Sequence, residues 1–118
     1  MVKNFKSLNI WKRSRKFVKK IYLATAGFPD SEKFNLISQL NRAAVSVPSN
    51  IAEGCGRGTE RDLSRFLDYA VGSSCEIETQ LFLAYDLDFL PEKDMEYLTD
   101  EIEQIRKMIV SYQGTLRR

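Results

Sequence analysis

Apolar residues recur at steps of three and four along four separate stretches of this chain, and each stretch ends in residues that stop a helix. That spacing gathers the apolar side chains on one face of an α-helix. It therefore selects helices that must pack on one another to bury their stripes. The first stretch, residues 8–26, repeats through Leu8, Trp11, Val18, Ile21 and Thr25, and Gly27, Phe28 and Pro29 stop it. Ser31 is the expected cap of the second, whose stripe is Phe34, Ile37, Leu40, Ala44, Val47 and Ile51. Gly54, Gly56 and Gly58 close it with a loop able to visit positive φ.

The third stretch starts after Thr59, whose hydroxyl and Asp62 resemble a capping pair with a shorter acid than usual, and runs through Leu63, Leu67, Ala70, Ser74, Ile77, Leu81 and Ala84. The fourth starts near Pro91, a residue suited to a first helical turn, and repeats through Met95, Leu98, Ile102, Ile105, Ile109, Tyr112 and Leu116. Gly114 to Arg118 are expected to fray. Val45-Ser46-Val47 resembles a strand only in isolation, because it lies inside a longer helical repeat. Long amphipathic segments with short links predict an all-α fold, an antiparallel up-and-down four-helix bundle, as one domain over residues 1–118.

The run Ser46-Val47-Pro48-Ser49-Asn50-Ile51-Ala52-Glu53-Gly54 sets a proline inside the second helix. Proline has no N–H and its ring crowds the carbonyl four residues back, so a kink is expected unless neighbours compensate. Ser46, Ser49 and Asn50 are the side chains able to bond freed backbone groups. Glu53 lies one turn beyond Asn50, and Arg42 and Glu76 fall on neighbouring elements, so a polar cluster drawn from these residues is expected to hold the bend.

Composition excludes several chemistries. The chain has no histidine, and Cys55 and Cys75 do not form a metal-binding spacing. The thiols are expected to be free, without a base to activate either as a nucleophile. Glu76 and Glu78 are two apart, which points their carboxylates to different faces of a helix rather than toward one substrate. Gly54-x-Gly56-x-Gly58 follows a helix and lacks the spacing of a dinucleotide-binding fingerprint. No catalytic residue, metal or cofactor is expected. No stretch reaches the roughly 20 apolar residues of a membrane span, so the expected location is the cytoplasm.

Charge is the main guide to a partner. Residues 1–20 hold Lys3, Lys6, Lys12, Arg13, Arg15, Lys16, Lys19 and Lys20 without an acidic residue. Residues 62–103 hold twelve Asp or Glu against Arg65 and Lys93. Such asymmetry guides nucleic acid to one surface or one subunit to another, and both runs also suit plain solvated helix faces. Lys12, Arg13, Arg15, Lys16, Lys19 and Lys20, joined by Arg57 and Arg61 after the glycine loop, are the candidate phosphate contacts.

Several motifs together resemble one family. They are Leu8 through Trp11, Phe28-Pro29 followed by Glu32-Lys33-Phe34, and Ser38-Gln39-Leu40-x-Arg42-Ala43-Ala44-x-Ser46-x-Pro48-x-Asn50-Ile51-Ala52-Glu53-Gly54. The last is Gly72-Ser73-x-x-Glu76-x-Glu78-Thr79-Gln80-Leu81. This set is similar to the four-helix-bundle proteins associated with intervening sequences of bacterial 23S ribosomal RNA, over almost the whole chain. The resemblance implies that Ser46, Pro48, Asn50, Glu53, Gly54, Ser73, Glu76 and Glu78 are structural signature residues rather than catalytic ones. It gives Cys55, which stands where an aromatic is common, no chemical role. Related accessory proteins of diversity-generating retroelements form five-subunit barrels and bind nucleic acid and reverse transcriptase through basic surfaces. By that resemblance the chain is expected to be a nonenzymatic RNA-associated or general nucleic-acid-binding scaffold, a homo-oligomer with a pentamer favoured, with RNA, DNA or a reverse transcriptase as partners. The alternative is a protein–protein assembly module that binds no nucleic acid.

Overall fold

The computed structural model describes residues 4–116. Lys3 of the basic run and Arg117 and Arg118 of the expected frayed tail lie outside the described residues. Four helices follow one another: α1 (Asn9–Thr25), α2 (Leu36–Gly56), α3 (Glu60–Asp86) and α4 (Glu92–Gln113). Short 3-10 turns at Phe5–Ser7 and Asp30–Glu32 precede α1 and α2. Among the described residues there is no strand. Each helix packs on its neighbour in sequence and α4 closes against α1, which is the arrangement of an up-and-down bundle. The molecule is elongated, about 46 × 23 × 20 Å.

Local chemistry sets most of the boundaries. Thr59 Oγ1 accepts from the Asp62 N–H at 3.1 Å and caps α3. Gly58 has φ +91°, in the left-handed region that a side chain disfavours, and it turns the chain between α2 and α3. Asp88 at φ 64° takes the corresponding place after α3, where the Phe89 N–H donates to the Ala84 carbonyl at 2.9 Å. Pro91 stands just before α4. The end of α4 is firmer than expected. Gln113 is buried and donates to the Ser64 carbonyl at 2.8 Å and to Asp68 Oδ1 at 2.6 Å, and turn bonds continue as far as Leu116.

The core joins all four stripes, with Ile21, Leu40, Ile51, Leu67, Ile77, Leu81, Ile102 and Ile105 fully buried. Several readings of the sequence need correction. In α1 the central positions are Ile10, Ser14, Phe17, Ile21 and Thr25, while Trp11 and Val18 sit half-buried at its edge. Both sets obey steps of three and four, and only docking against α2 and α4 decides which faces inward. Phe34 is not in the core at all. It is 85% exposed, because α2 begins at Leu36 after the 3-10 turn, and a helical repeat cannot be extended back through residues that are not α-helical. Ser31 lies inside that turn and does not cap α2.

The proline does not interrupt α2, which runs through Pro48 to Gly56. Asn50 Nδ2 donates to the Ser46 carbonyl at 2.8 Å, and the Ser46 hydroxyl lies 2.6 Å from both the Ala43 carbonyl and Ser73 Oγ. Those bonds tie the turn around Pro48 to itself and to α3. The wider polar cluster does not form. Glu53 points outward to Arg57 Nη2 at 2.9 Å, and Arg42 and Glu76 make no ion pair among the described residues. Gly54 also differs from its reading as a stop, since it is buried inside the last turns of α2. A Cβ there would lie 2.8 Å from Phe66 Cβ and 2.9 Å from Leu63 Cδ1. Close helix approach is what demands glycine at this position.

Candidate nucleic-acid interface

The basic residues of α1 divide by what they touch. Arg13 faces α4, where Nη2 donates to Glu101 Oε1 at 2.8 Å and to Gln104 Oε1 at 2.6 Å, and Nε donates to Glu101 Oε2 at 3.2 Å. Lys20 donates to Tyr97 Oη at 2.7 Å and lies 3.5 Å from Glu101 Oε2. These two cations are structural clamps between α1 and α4. The hydrogen bond from Arg13 holds the Glu101 carboxyl below the usual carboxylate range, against the opposing effect of partial burial. The bond to Tyr97 raises the Lys20 ammonium, and that to Glu101 raises the Arg13 guanidinium.

Lys12, Lys16 and Lys19 are exposed and have no carboxylate partner among the described residues. Arg15 is also exposed, with its guanidinium 5.5 Å from the Trp11 ring centroid. A cleft between α1 and α4 carries Lys12 and Lys16 on one wall, Asn9 at one end, and the clamped Arg13, Lys20 and Glu101 beneath. Exposed lysines on a helix face can lay their stems along apolar surface and keep their ammonium groups in water, which suits phosphate contacts that require no base recognition.

The two arginines after the glycine loop behave differently. Arg57 is paired with Glu53 and covers the Phe66 ring at 4.9 Å, whereas Arg61 is exposed without an ion pair among the described residues. The antiparallel order brings Arg61, at the start of α3, to the same end of the bundle as Lys12. Lys107 joins them near the end of α4, and it lines a second cleft with Asn9 and Met108 that continues the first. Sequence reasoning missed Lys107, because its single charge stands between Arg106 and apolar Met108 with no basic run to mark it.

Three of the signature residues make contacts between helices. Ser46 meets Ser73 between α2 and α3, while Glu78 receives Arg106 Nη2 at 2.6 Å between α3 and α4. Glu76 and Glu78 face different ways, as their spacing predicts, with Glu76 exposed on the α2 side. Cys55 is buried, and burial pushes its thiol pKa up, which keeps it in the weakly nucleophilic form. Among the described residues no cluster of three or more His, Cys, Asp or Glu is placed to hold a metal ion, and no helix is long and apolar enough to cross a membrane.

The family model described as 23S rRNA-intervening sequence protein matches residues 6–111. The chain belongs to that family. A crystal structure of a protein with unknown function, from the S23 ribosomal protein family of Bacteroides thetaiotaomicron, has the same fold with a TM-score of 0.80 at 21% identity. The match covers 90% of this chain and 99% of that one. No curated protein matches the chain. The 23S rRNA-intervening sequence family thus spans all four helices, including both the clamped and the free cations of α1.

Proposed function

We propose that this chain is a nonenzymatic nucleic-acid-binding scaffold that works as a homo-oligomer, with a pentamer the favoured assembly. The observation that carries the reading is the set Lys12, Lys16 and Lys19, exposed on one helix and without a carboxylate partner among the described residues while Arg13 and Lys20 are held by α4. Free cations along one face suit a run of phosphates, with affinity supplied by counterion release and little dependence on base sequence. The family description favours RNA as the partner.

Charge reversal of Lys12, Lys16 and Lys19 together tests it. In a variant whose helix content is unchanged by circular dichroism, affinity for unrelated RNA and DNA sequences should fall by similar factors, and the slope of log affinity against log salt should flatten by about 2–3. Equal binding by both proteins across several salt concentrations would remove these lysines from the interface. Light scattering should give a fixed multiple of 13.6 kDa, five being the favoured number. A second reading, a protein assembly module without nucleic acid, draws on the exposed apolar residues Phe34, Leu83 and Leu87. Absence of binding by the unaltered protein at low salt would make it the better account.

A further inference from the structure

We infer that the groove between α2 and α3 is a socket for a second copy of this chain, filled by Lys33 and Phe34 of that copy. The groove lies on the far side of the bundle from the α1–α4 cleft. Its apolar walls are Leu36, Leu83 and Leu87, of which Leu83 is 46% and Leu87 56% exposed. Gln80 lines it from below, only 5% exposed. The amide nitrogen of Gln80 makes one long bond of 3.4 Å to Gln39, and its buried Oε1 has no hydrogen-bond partner among the described residues. A buried acceptor left without a donor destabilises a fold, so repacking of this amide when the groove is filled is favoured. Glu32 and Glu76 line the groove and no cation does. The matching occupant is a bulky apolar group carrying a cationic donor.

This chain displays such a group. Phe34 is, at 85%, the most exposed large apolar side chain among the described residues, and Lys33 Nζ lies 5.6 Å from its ring centroid. Phe34 stands between Glu32 and Asn35, which line its own groove, yet its ring is turned out to solvent. Seated in another copy, the ring covers Leu83 and Leu87. The ammonium then has the exposed Glu76 carboxylate within the same socket. Charge complementarity and the presence of both halves on one chain select a second copy over an unrelated partner. Because both halves lie on one chain, the contact closes as a two-fold exchanged pair if it is mutual, or as a head-to-tail ring of copies if each Phe34 enters the next socket. The inference rests on the self-association in the proposed function, and it assigns assembly and phosphate contact to opposite faces.

Cys75 lines the socket and is exposed, which supplies a direct test. A tagged F34C/C75S variant is mixed with the unaltered protein, allowed to exchange subunits and mildly oxidised. The expected product is a mixed disulfide between the introduced cysteine and the native Cys75, seen as one tagged and one untagged chain on a non-reducing gel. It should vanish when the second protein is C75S. In parallel, F34A should raise the dissociation constant of self-association about 30-fold, the factor equivalent to a hot-spot truncation of about 2 kcal/mol. An assembled unaltered protein that gives no mixed disulfide, and whose mass is unchanged by F34A, overturns the socket while leaving self-association standing. A monomeric unaltered protein overturns both. Phosphate-driven binding measured on F34A remains a separate readout, since Phe34 is remote from Lys12 and Lys16.

Discussion

Arg13 reaches from α1 to α4 and holds Glu101 with two nitrogens, Nη2 at 2.8 Å from Oε1 and Nε at 3.2 Å from Oε2. Lys20 approaches the same carboxylate from the next turns of α1. One acidic residue therefore takes two of the basic residues out of the free basic face.

Replacing that carboxylate should change stability and binding in opposite directions. Glu101→Gln should lower stability by about 1 kcal/mol, since the pair is only partly withdrawn from water. It should also strengthen nucleic-acid binding and steepen its salt dependence by about 1–2, as Arg13 and Lys20 become available to phosphates. The pH dependence has a definite sign. The Glu101 pKa is lowered in the folded chain, chiefly by the Arg13 hydrogen bond, so its contribution is fully present above the usual glutamate value of about 4.3. That contribution is lost as pH falls through the lower folded value. Thermal melts of the two proteins should differ by a constant amount from about pH 8 to pH 5 and converge in stronger acid.

Asn50 and Glu53 are one turn apart in α2 but have different tasks. Asn50→Ala removes the bond to the Ser46 carbonyl beside Pro48 and should cost about 0.5–1.5 kcal/mol. Glu53→Gln weakens only an exposed pair with Arg57 and should change stability by less than about 0.5 kcal/mol. Urea unfolding of both variants checks the contrast. Equal losses would mean that Glu53 supports the proline turn after all.

Two helical glycines should respond oppositely to alanine. At Gly54 the new methyl meets Phe66 and Leu63 well inside van der Waals contact, and the repacking should cost about 1–3 kcal/mol. At Gly72, in the interior of α3, a Cβ meets nothing within 4 Å, so Gly72→Ala should stabilise the subunit by about 1 kcal/mol. The midpoints of denaturant unfolding should move in opposite directions.

Asp88 occupies the left-handed region at the end of α3 without being glycine. Asp88→Gly should therefore raise the melting temperature, by an amount equivalent to about 0.5–1 kcal/mol. A β-branched residue such as valine should lower it, because its Cβ substituents clash there. Calorimetry on the three proteins ranks them Gly, Asp, Val from most to least stable.

Signals confined to a few consecutive residues were legible before the fold was known. Thr59 with Asp62 marks the start of α3, Gly58 marks the turn before it, and Pro91 marks the start of α4, each through backbone chemistry that acts locally. The stripes of α2, α3 and α4 were legible as well, since three or four turns of regular spacing define a face. Phase was less secure near the ends of helices. Phe34 sits in a turn and projects into solvent, and in α1 the inward row passes through Phe17 instead of Val18.

The basic face shows the same division at the level of the site. That residues 1–20 lack acidic residues is a property of the sequence, and so is the expectation of a positively charged α1. The sequence by itself determined the helical class, the four-part order and the sign of charge on that helix, because propensity, spacing and formal charge belong to each residue and its near neighbours. Only the tertiary structure decided that Glu101, eighty-eight positions from Arg13, would take up Arg13 and Lys20 and leave Lys12, Lys16 and Lys19 free. The same packing set Phe34 beside an acidic groove above the buried Gln80 amide. Ion pairs and grooves between helices depend on rotation about each helix axis, and that rotation is chosen by how the four cores interlock.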